Sequence, residues 1–331
     1  MKDTLRILAV TNLWPVGDSF RGIYVKEQVE ALRRLGHHVD VEVVAQERGK
    51  ADYFLAAQRV RRVARAGGYD VVHIHYGMTA LSTRFISGVP KVLSLYGSDI
   101  NVGWQHLMTR AGLRGVGARI YVSENLAANA RDEQGHIIAD GVDFTLFAPG
   151  DRVAARRDMG IGENEKVILF GGHPDNSVKG YDVFSDVLKD LRERGIKVRE
   201  IALARPRTPR QEVPRKFDAA DVLLFTSRKG SEGSPSVIKE ATAMGLPVVS
   251  VNVGDAVKLL DGVLPGEVVD FPEPWGSDDA RAKLIRLLAD RTADALAAGS
   301  RSNGRERNRW LDAEQVAREV VQVYRQVLRN G

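Results

Sequence analysis

The sequence contains no cysteine, and its apolar runs are short. The absence of cysteine excludes disulfides and thiolate metal sites, which fits a protein of the reducing cytoplasm. No segment approaches the ~18 uncharged apolar residues of a membrane span, and the apolar run near the N-terminus is too short for a signal peptide. We therefore expect a cytoplasmic protein.

Several signatures of nucleotide and metal binding are also missing. There is no Gly-x-Gly-x-x-Gly for a dinucleotide, no Gly-x4-Gly-Lys-Ser/Thr phosphate loop and no Asp-x-Asp pair. Lysine and arginine exceed aspartate and glutamate only modestly, by 48 to 43, so no nucleic-acid partner is expected. With 331 residues, 44% of them hydrophobic, the chain is large enough for two domains.

Short apolar runs alternate with amphipathic stretches in both halves of the chain. Residues 6–11 and 39–44 have the character of strands and flank a helical pattern over 24–35. Such a strand, helix and strand unit requires a parallel sheet with a right-handed crossover. A new series begins with the apolar run 166–170. The pattern predicts an α/β fold with two doubly wound domains.

One stretch of the second half has the features of a ligand site. Ser234 before Pro235 predicts an N-cap and a first-turn proline, and Gly245 ends the helix. Glu232 precedes this helix, and Glu240 lies on its second turn. Carboxylates accept from hydroxyls and helix-end amides donate to phosphate oxygens, a combination that suits a nucleotide sugar. The alternative is a capped helix with two solvated glutamates.

Glu232-Gly-Ser-Pro, Glu240-Ala and Gly245-Leu-Pro-Val-Val together resemble the Glu-x7-Glu signature of retaining GT-B glycosyltransferases of family 4. Within that family the sequence is most similar to bacterial enzymes of surface-polysaccharide and teichuronic-acid type assembly. The resemblance implies that Glu232 binds the hydroxyls of the donor sugar and that Glu240 binds the nucleotide ribose.

The resemblance also implies the domain arrangement. Two Rossmann-like domains would face a central cleft, with an acceptor-side domain over residues 1–149 and a nucleotide-sugar domain over residues 150–309. An amphipathic helix at about 310–331 would pack back on the first domain. The Asp-Gly-Val-Asp segment at 140–143 corresponds to the hinge of the family.

In this family a glycine loop and two cations bind the donor diphosphate. Gly171 and Gly172 follow a strand here, Lys179 matches the family lysine, and His173 stands about where the family has arginine. Arg228 is the candidate for the missing charge. The implied donor-binding residues are Gly22 of a glycine loop in the first domain, Gly171, Gly172, His173, Lys179, Arg228, Glu232, Gly233, Ser234, Pro235, Ser236, Val237 and Glu240.

The implied activity is transfer of a hexosyl group, with retention, from a nucleoside diphosphate sugar to an acceptor hydroxyl. The donor would be UDP- or GDP-linked, and the acceptor a glycan, a glycolipid or a small molecule. No cofactor or metal is expected, because Lys179 and helix-end amides would stabilise the leaving diphosphate. The family's front-face attack leaves no residue to be assigned as nucleophile.

On the acceptor side, the resemblance implies roles for His75, Tyr76 and Gly77, at the end of the apolar run 71–75. Tyr96 stands where many relatives have histidine. Asp99 is either a hydrogen-bond acceptor for a sugar or acceptor hydroxyl, or a cap of its own loop. The His-x-His pair alone is also compatible with a metal site. The catalytic candidates are Lys179, Glu232, Tyr96 and Asp99.

Other interpretations stay open. A basic group on a predicted helix could contact anionic lipid headgroups or be a solvated face; it consists of Arg59, Arg61, Arg62 and Arg65. The loop 205–210, rich in arginine and proline, is expected to face solvent. A sugar-nucleotide epimerase of the same fold is a second candidate enzyme. A degenerate nucleotide-sugar-binding subunit is a third candidate, because Tyr96 and His173 depart from the family pattern.

Overall fold

The structure, a computed structural model, describes residues 3–17, 20–206 and 208–330. The strands are Arg6–Thr11 (β1), His38–Val43 (β2), Val71–His75 (β3), Lys91–Leu95 (β4), Ala118–Tyr121 (β5), His136–Ile137 (β6), Lys166–Phe170 (β7), Val198–Ala202 (β8), Val222–Phe225 (β9), Val248–Val251 (β10) and Gly266–Val269 (β11). The α-helices are Ile23–Arg34 (α1), Asp52–Leu55 (α2), Ala57–Ala66 (α3), Ser98–Asn101 (α4), Gly103–Gly112 (α5), Glu124–Ala130 (α6), Arg152–Asp158 (α7), Tyr181–Glu193 (α8), Val213–Ala219 (α9), Ser236–Ala243 (α10), Ala256–Leu259 (α11), Asp278–Ala298 (α12), Gly304–Arg307 (α13) and Ala313–Asn330 (α14).

The chain forms two compact units, each built on its own parallel sheet. The first unit comprises residues 3–141 and 311–330, and its sheet has the strand order β2-β1-β3-β4-β5-β6. The second comprises residues 142–310 and has the order β11-β10-β9-β7-β8. Two doubly wound parallel sheets confirm the predicted α/β class.

Both faces of the first sheet are covered, which explains the apolar runs in its central strands. On β1, Ile7 and Ala9 belong to the core that includes Tyr324 of α14, whereas Leu8 belongs to the opposite core with Val60 of α3. Successive residues of a strand point to opposite faces. The strand is therefore apolar at nearly every position and not only at alternate ones.

The second unit begins at Val142, ahead of the predicted boundary at Gly150. Arg305 donates to the carbonyls of Phe144 and Phe147, at 2.9 and 2.6 Å, and the Phe147 ring packs edge-on against Phe217. These contacts attach the segment after the hinge to the second unit. The terminal helix α14, in contrast, packs with α1 of the first unit, as the family resemblance implies.

No helix in the described part of the chain combines the length and the apolar character that are needed to cross a bilayer.

Candidate functional site

The helix that carries Glu240 begins at Ser236, one residue later than predicted. Ser234 is not its N-cap: the Ser234 hydroxyl donates to Asp255 Oδ2 at 2.7 Å, and Pro235 occupies the cap position without a side-chain hydrogen bond. This bond orients the Ser234 hydroxyl toward Asp255, and hydrogen bonds to charged groups are about twice as strong as neutral ones. Gly245 follows the helix with a φ of 62°, as its stop signal predicts.

Glu232 lies next to Lys179, although 53 residues separate them in the chain. Lys179 Nζ donates to Glu232 Oε1 at 2.7 Å, and the Ser227 hydroxyl donates to the same oxygen at 2.7 Å. The Glu232 side chain is only 13% exposed. A solvated glutamate is therefore the wrong description, and the structure brings together the predicted sugar-binding carboxylate and the predicted phosphate-binding lysine.

Glu240 is also buried, with a side chain 5% exposed. Its Oε1 lies 2.8 Å from the guanidinium of Arg210, which in turn lies 4.5 Å over the ring of Phe147. The expectation of a solvent-facing loop at 205–210 is therefore wrong for Arg210, whose side chain is 14% exposed. Arg207 of that loop lies outside the described residues. Charge pairing with a buried carboxylate accounts for the folding of Arg210 into the protein.

The predicted glycine loop of the second unit directly follows β7. A Cβ on Gly172 would lie 2.8 Å from the Cγ of Lys179, and a Cβ on Gly171 would lie 3.1 Å from Phe225 and Val237 side chains. The loop therefore packs against the lysine and the helix α10 that the resemblance assigns to the donor. Gly233 also belongs to this packing, since its carbonyl oxygen would lie 2.7 Å from a Cβ on Gly254.

The two other predicted donor-side groups lie at the surface. The His173 ring is exposed, and its Nδ1 accepts from the backbone N–H of Asp175 at 3.2 Å. The Arg228 guanidinium pairs with Asp182 at 2.7 Å, while the Arg228 backbone N–H donates to the carbonyl of Val178. Arg228 thus lies beside the turn that carries Lys179, but its charge is already paired.

A buried polar pair that sequence analysis missed lies at the start of α10. Lys239 and Asp255 are both buried. Burial raises the pKa of Asp255, while the charge of Lys239 and the hydroxyl of Ser234 oppose the rise. These groups fix the loop around Ser234 and Pro235 against the helix. No sequence spacing relates positions 239 and 255, so the pair could not be predicted.

In the first unit, Gly22 begins α1 with a φ of 75°, and a Cβ there would lie 2.3 Å from the carbonyl carbon of Leu13. Only glycine fits a left-handed conformation that approaches backbone so closely. The predicted glycine loop therefore exists, with the β1 end and the α1 start in direct contact.

Buried His75 and half-buried Tyr96 form a hydrogen-bonded pair at the carboxyl ends of β3 and β4. The His75 Nδ1 lies 2.6 Å from the Tyr96 hydroxyl, and the Tyr96 ring packs 4.8 Å from the ring of Tyr24. Burial lowers the pKa of His75 to about 3 and raises that of Tyr96 well above its usual value. Both groups are therefore neutral at physiological pH.

His73 joins this pair to the terminal helix. Its Nε2 lies 2.8 Å from the Ser94 hydroxyl, its Nδ1 lies 2.6 Å from the Tyr324 hydroxyl, and its ring lies 4.0 Å from that of His75. The two histidines thus bind hydroxyl groups. Among the residues that the structure describes, no group of three or more histidines, cysteines or acids is arranged to hold a metal ion.

Asp99 organises the backbone around the predicted acceptor side. It is fully buried, and its carboxylate accepts from the N–H groups of Gly77, Tyr96 and Gly97 at 2.8–3.2 Å. Burial raises the pKa of Asp99, and these three N–H groups oppose the rise. The arrangement corresponds to the loop cap that the sequence left open. It places Tyr96 and Gly77 side by side.

Tyr76 adopts a φ of 77°, which is uncommon for a residue with a side chain. Its hydroxyl is 3.0 Å from the Ser98 hydroxyl and donates to Gln105 Oε1. Backbone strain of this kind persists only where surrounding contacts enforce it and is common at functional sites. Tyr76 is therefore held against α4 and α5, next to the Asp99 loop.

Two family matches divide the chain along the same lines as the two units. Residues 22–146 match the family described as Glycosyltransferase Family 4, and residues 165–290 match the family described as Glycosyl transferases group 1. The chain is built from two glycosyltransferase domains. It is similar to D-inositol 3-phosphate glycosyltransferase 1 of Catenulispora acidiphila, with 27% identity over an alignment of 321 residues. The match covers 80% of this chain and 74% of the relative.

Solved structures confirm the GT-B fold of this glycosyltransferase. Sucrose-phosphate synthase from Thermosynechococcus elongatus aligns with a TM-score of 0.75 and 19% identity, covering 98% of this chain and 100% of that one. The Anabaena protein HepE in complex with UDP-glucose aligns with a TM-score of 0.67 and 19% identity, covering 96% and 99%. The narrower resemblance to surface-polysaccharide and teichuronic-acid enzymes stays a prediction.

The first unit of the glycosyltransferase contains a cavity of about 660 Å³ that the predicted acceptor-side residues do not line. It lies between α5 and α6, with Thr109, Arg110 and Arg131 among its lining residues. Leu95 also lines it, next to Tyr96 in the chain. The cavity is therefore a neighbour of the His75 and Tyr96 pair and does not include it.

The buried His75 makes the stability of the glycosyltransferase depend on pH. Its pKa is about 3 in the folded protein and 6.5 when unfolded, so between these values only the unfolded chain binds the proton. This contribution is complete above pH 6.5 and is lost as the pH falls toward 3. Urea titrations at a series of pH values give the free energy of unfolding as a function of pH. His75→Asn should reduce the slope of this curve between pH 6.5 and 3 by up to about 1.4 kcal/mol per pH unit.

The control for this titration is His173→Asn, which alters an exposed ring and should leave the slope unchanged. Equal slopes in His75→Asn and the unaltered protein would contradict a neutral, buried His75.

Proposed function

We propose that this glycosyltransferase transfers a hexosyl group, with retention, from a UDP- or GDP-linked sugar to an acceptor hydroxyl. The observation that supports this most directly is the contact of Lys179 with Glu232 at 2.7 Å, beside the helix that carries Glu240. One unit thereby presents a cation for a diphosphate and two carboxylates for hydroxyl groups. A nucleotide sugar contains all three features.

In this proposal Glu232 accepts hydrogen bonds from hydroxyl groups of the transferred sugar. Glu240 accepts hydrogen bonds from the hydroxyl groups of the ribose. Lys179, the backbone N–H groups near Gly171 and Gly172, and the start of α10 stabilise the charge that develops on the leaving diphosphate. No metal ion is part of the proposed reaction. The acceptor oxygen bonds to the anomeric carbon on the face from which the diphosphate departs, so no side chain is proposed as nucleophile. The departing phosphate takes the proton of that hydroxyl.

We assign the acceptor to the first unit. The Tyr96 and His75 pair is neutral and held by a 2.6 Å hydrogen bond, and Asp99 keeps Gly77 and Tyr96 side by side. Neutral hydroxyl and imidazole groups orient sugar hydroxyls without ionising them. Because the Catenulispora relative is named an inositol-phosphate glycosyltransferase, D-inositol 3-phosphate is the first acceptor to examine.

The test is turnover of purified protein with UDP-, GDP-, ADP- and dTDP-sugars in the presence of EDTA. Acceptors are D-inositol 3-phosphate, soluble glycans and a lipid extract, and NMR of the product gives the anomeric configuration. The proposal expects transfer with retention from a UDP- or GDP-sugar. Release of epimerised nucleotide sugar without any acceptor would instead identify an epimerase. Donor binding without transfer or hydrolysis would identify a binding subunit.

We also propose that α3 brings this protein to anionic membranes. Arg59 is bonded to Glu42 and Asp52, so it does not contribute, but Arg62 and Arg65 are exposed. The preceding helix α2 exposes Phe54 by 51% and Leu55 by 76%. Exposed apolar side chains beside arginines are typical of surfaces that contact lipid headgroups.

The prediction concerns partition onto vesicles of phosphatidylglycerol. Arg62→Ala with Arg65→Ala should weaken partition about 30-fold, at roughly 1 kcal/mol for each arginine near the surface. The matched control, Arg131→Ala with Arg318→Ala, removes two exposed arginines of the same unit and should leave partition unchanged. Equal losses in both pairs would reduce the effect to net charge and contradict a docking face on α3.

A further inference from the structure

Arg210 is the side chain nearest to the predicted ribose carboxylate, and the family resemblance assigns it no role. It begins a short 3-10 turn, Arg210–Glu212, which continues directly into α9. Pro209 precedes it in an extended conformation. The backbone on both sides of Arg210 is therefore ordered, and this fixes the position of its Cα atom.

The guanidinium itself is held from two directions. The ring of Phe147, which is fully buried, lies 4.5 Å below it, and Glu240 Oε1 lies 2.8 Å from one of its nitrogens. Phe147 is in turn packed edge-on against Phe217 of α9. A planar guanidinium stacked on an aromatic ring has one orientation in which its edge can reach a carboxylate. Arg210 thereby restricts the position of Glu240 Oε1 through their 2.8 Å contact.

Binding by Arg210 leaves Glu240 able to accept further hydrogen bonds. A carboxylate offers about four acceptor positions, and the arginine contact occupies the side of Oε1. A ribose-binding carboxylate needs such a held position, with acceptor sites left for the ribose hydroxyls.

We propose that Arg210 is a positioning residue for nucleotide recognition, setting the Glu240 carboxylate for the ribose hydroxyls. The inference rests on the proposed function, in which Glu240 binds the ribose. Its consequence is that discrimination between ribonucleotides and deoxynucleotides depends on Arg210 as well as on Glu240. A purely structural arginine would affect both kinds of nucleotide equally.

The experiment measures dissociation constants of UDP and GDP, and of their 2′-deoxy and 3′-deoxy counterparts, by calorimetry. The unaltered protein should bind the better ribonucleotide at least ~10-fold more tightly than one of its deoxy forms. Arg210→Met should reduce this ratio to within about threefold, mainly by weakening ribonucleotide binding. Arg210→Lys keeps the charge but not the planar fork, and should retain part of the preference for the ribonucleotide. This variant replaces Arg210→Met in the test if Arg210→Met does not fold.

The matched control is Arg215→Met, since Arg215 lies on the adjoining α9 and is bonded to the exposed Asp158. Its ratio should equal that of the unaltered protein. A normal ratio in both Arg210 variants would overturn the inference while leaving the ribose site intact. An increased ratio would also overturn it, because Arg210 would then compete with the ribose for Glu240. If the unaltered protein shows no discrimination, the assignment of Glu240 in the proposed function itself fails.

Discussion

Lys179→Ala is expected to lower the rate of sugar transfer by ~10²-fold or more, with a much smaller effect on donor affinity. The lysine Nζ is held 2.7 Å from Glu232 and lies 5.7 Å from the centre of the Phe225 ring, so its charge is preorganised at a partly buried position. Charge that is fixed where negative charge develops lowers the barrier more than it tightens the ground state. Single-turnover kinetics at saturating donor measure this effect.

Lys189→Ala is the matched control, because Lys189 is an exposed lysine of the same unit that pairs with its helix neighbour Glu193. Its rate should be unchanged. If Lys179→Ala raised the Kd of the donor by the same factor as it lowered kcat/KM, Lys179 would bind the ground state and would not act in the transition state. Glu232→Gln removes the negative charge beside Lys179 but keeps the shape of the side chain. Its rate shows how much of the effect comes from losing the Lys179–Glu232 ion pair.

Glu240→Ala is expected to weaken donor binding by about 1–3 kcal/mol, equivalent to roughly 5- to 150-fold in Kd. The change removes charge-assisted hydrogen bonds to the ribose and also leaves Arg210 without its carboxylate. Calorimetry with UDP and GDP measures the loss. The melting temperature of the variant shows whether the loss of affinity comes from general destabilisation. Glu240→Gln keeps the volume of the side chain and should therefore destabilise the protein less.

Glu273→Ala is the control for this experiment, since Glu273 is an exposed carboxylate bonded to Lys229. Nucleotide affinity that is unchanged in Glu240→Ala but reduced in Glu273→Ala would place the ribose elsewhere in the second unit.

The fold could be predicted because its main signals are local. The central strands are covered on both faces, so runs such as residues 7–10 and 167–170 are continuously apolar. The glutamate pair could be found because Glu232 and Glu240 are eight positions apart on one loop and helix, with Gly245 marking the end. The N-cap was predicted wrongly for a non-local reason: Asp255, 21 positions away, takes the hydroxyl of Ser234.

The partners of the site were beyond prediction for the same reason. Arg210 lies in a proline-rich loop without hydrophobic periodicity, a pattern typical of solvent-exposed segments, and only the fold brings it to Glu240. Ser227 and Lys179 reach Glu232 from two different strand ends. His73 could be placed on a strand by its alternation with His75, but its partner Tyr324 is 251 positions later. Sequence spacing carries no information on such contacts.

The position of α14 has a consequence for the order in which the chain can fold during synthesis. Tyr324 and its neighbours on this helix form part of the core beneath β1, yet the ribosome makes them only after all of the second unit. Domains generally fold as units, the N-terminal one first. Here the first unit emerges with α1 on this sheet face but without α14, and the second unit can complete its core earlier. The half of the molecule that is translated first therefore becomes fully folded last.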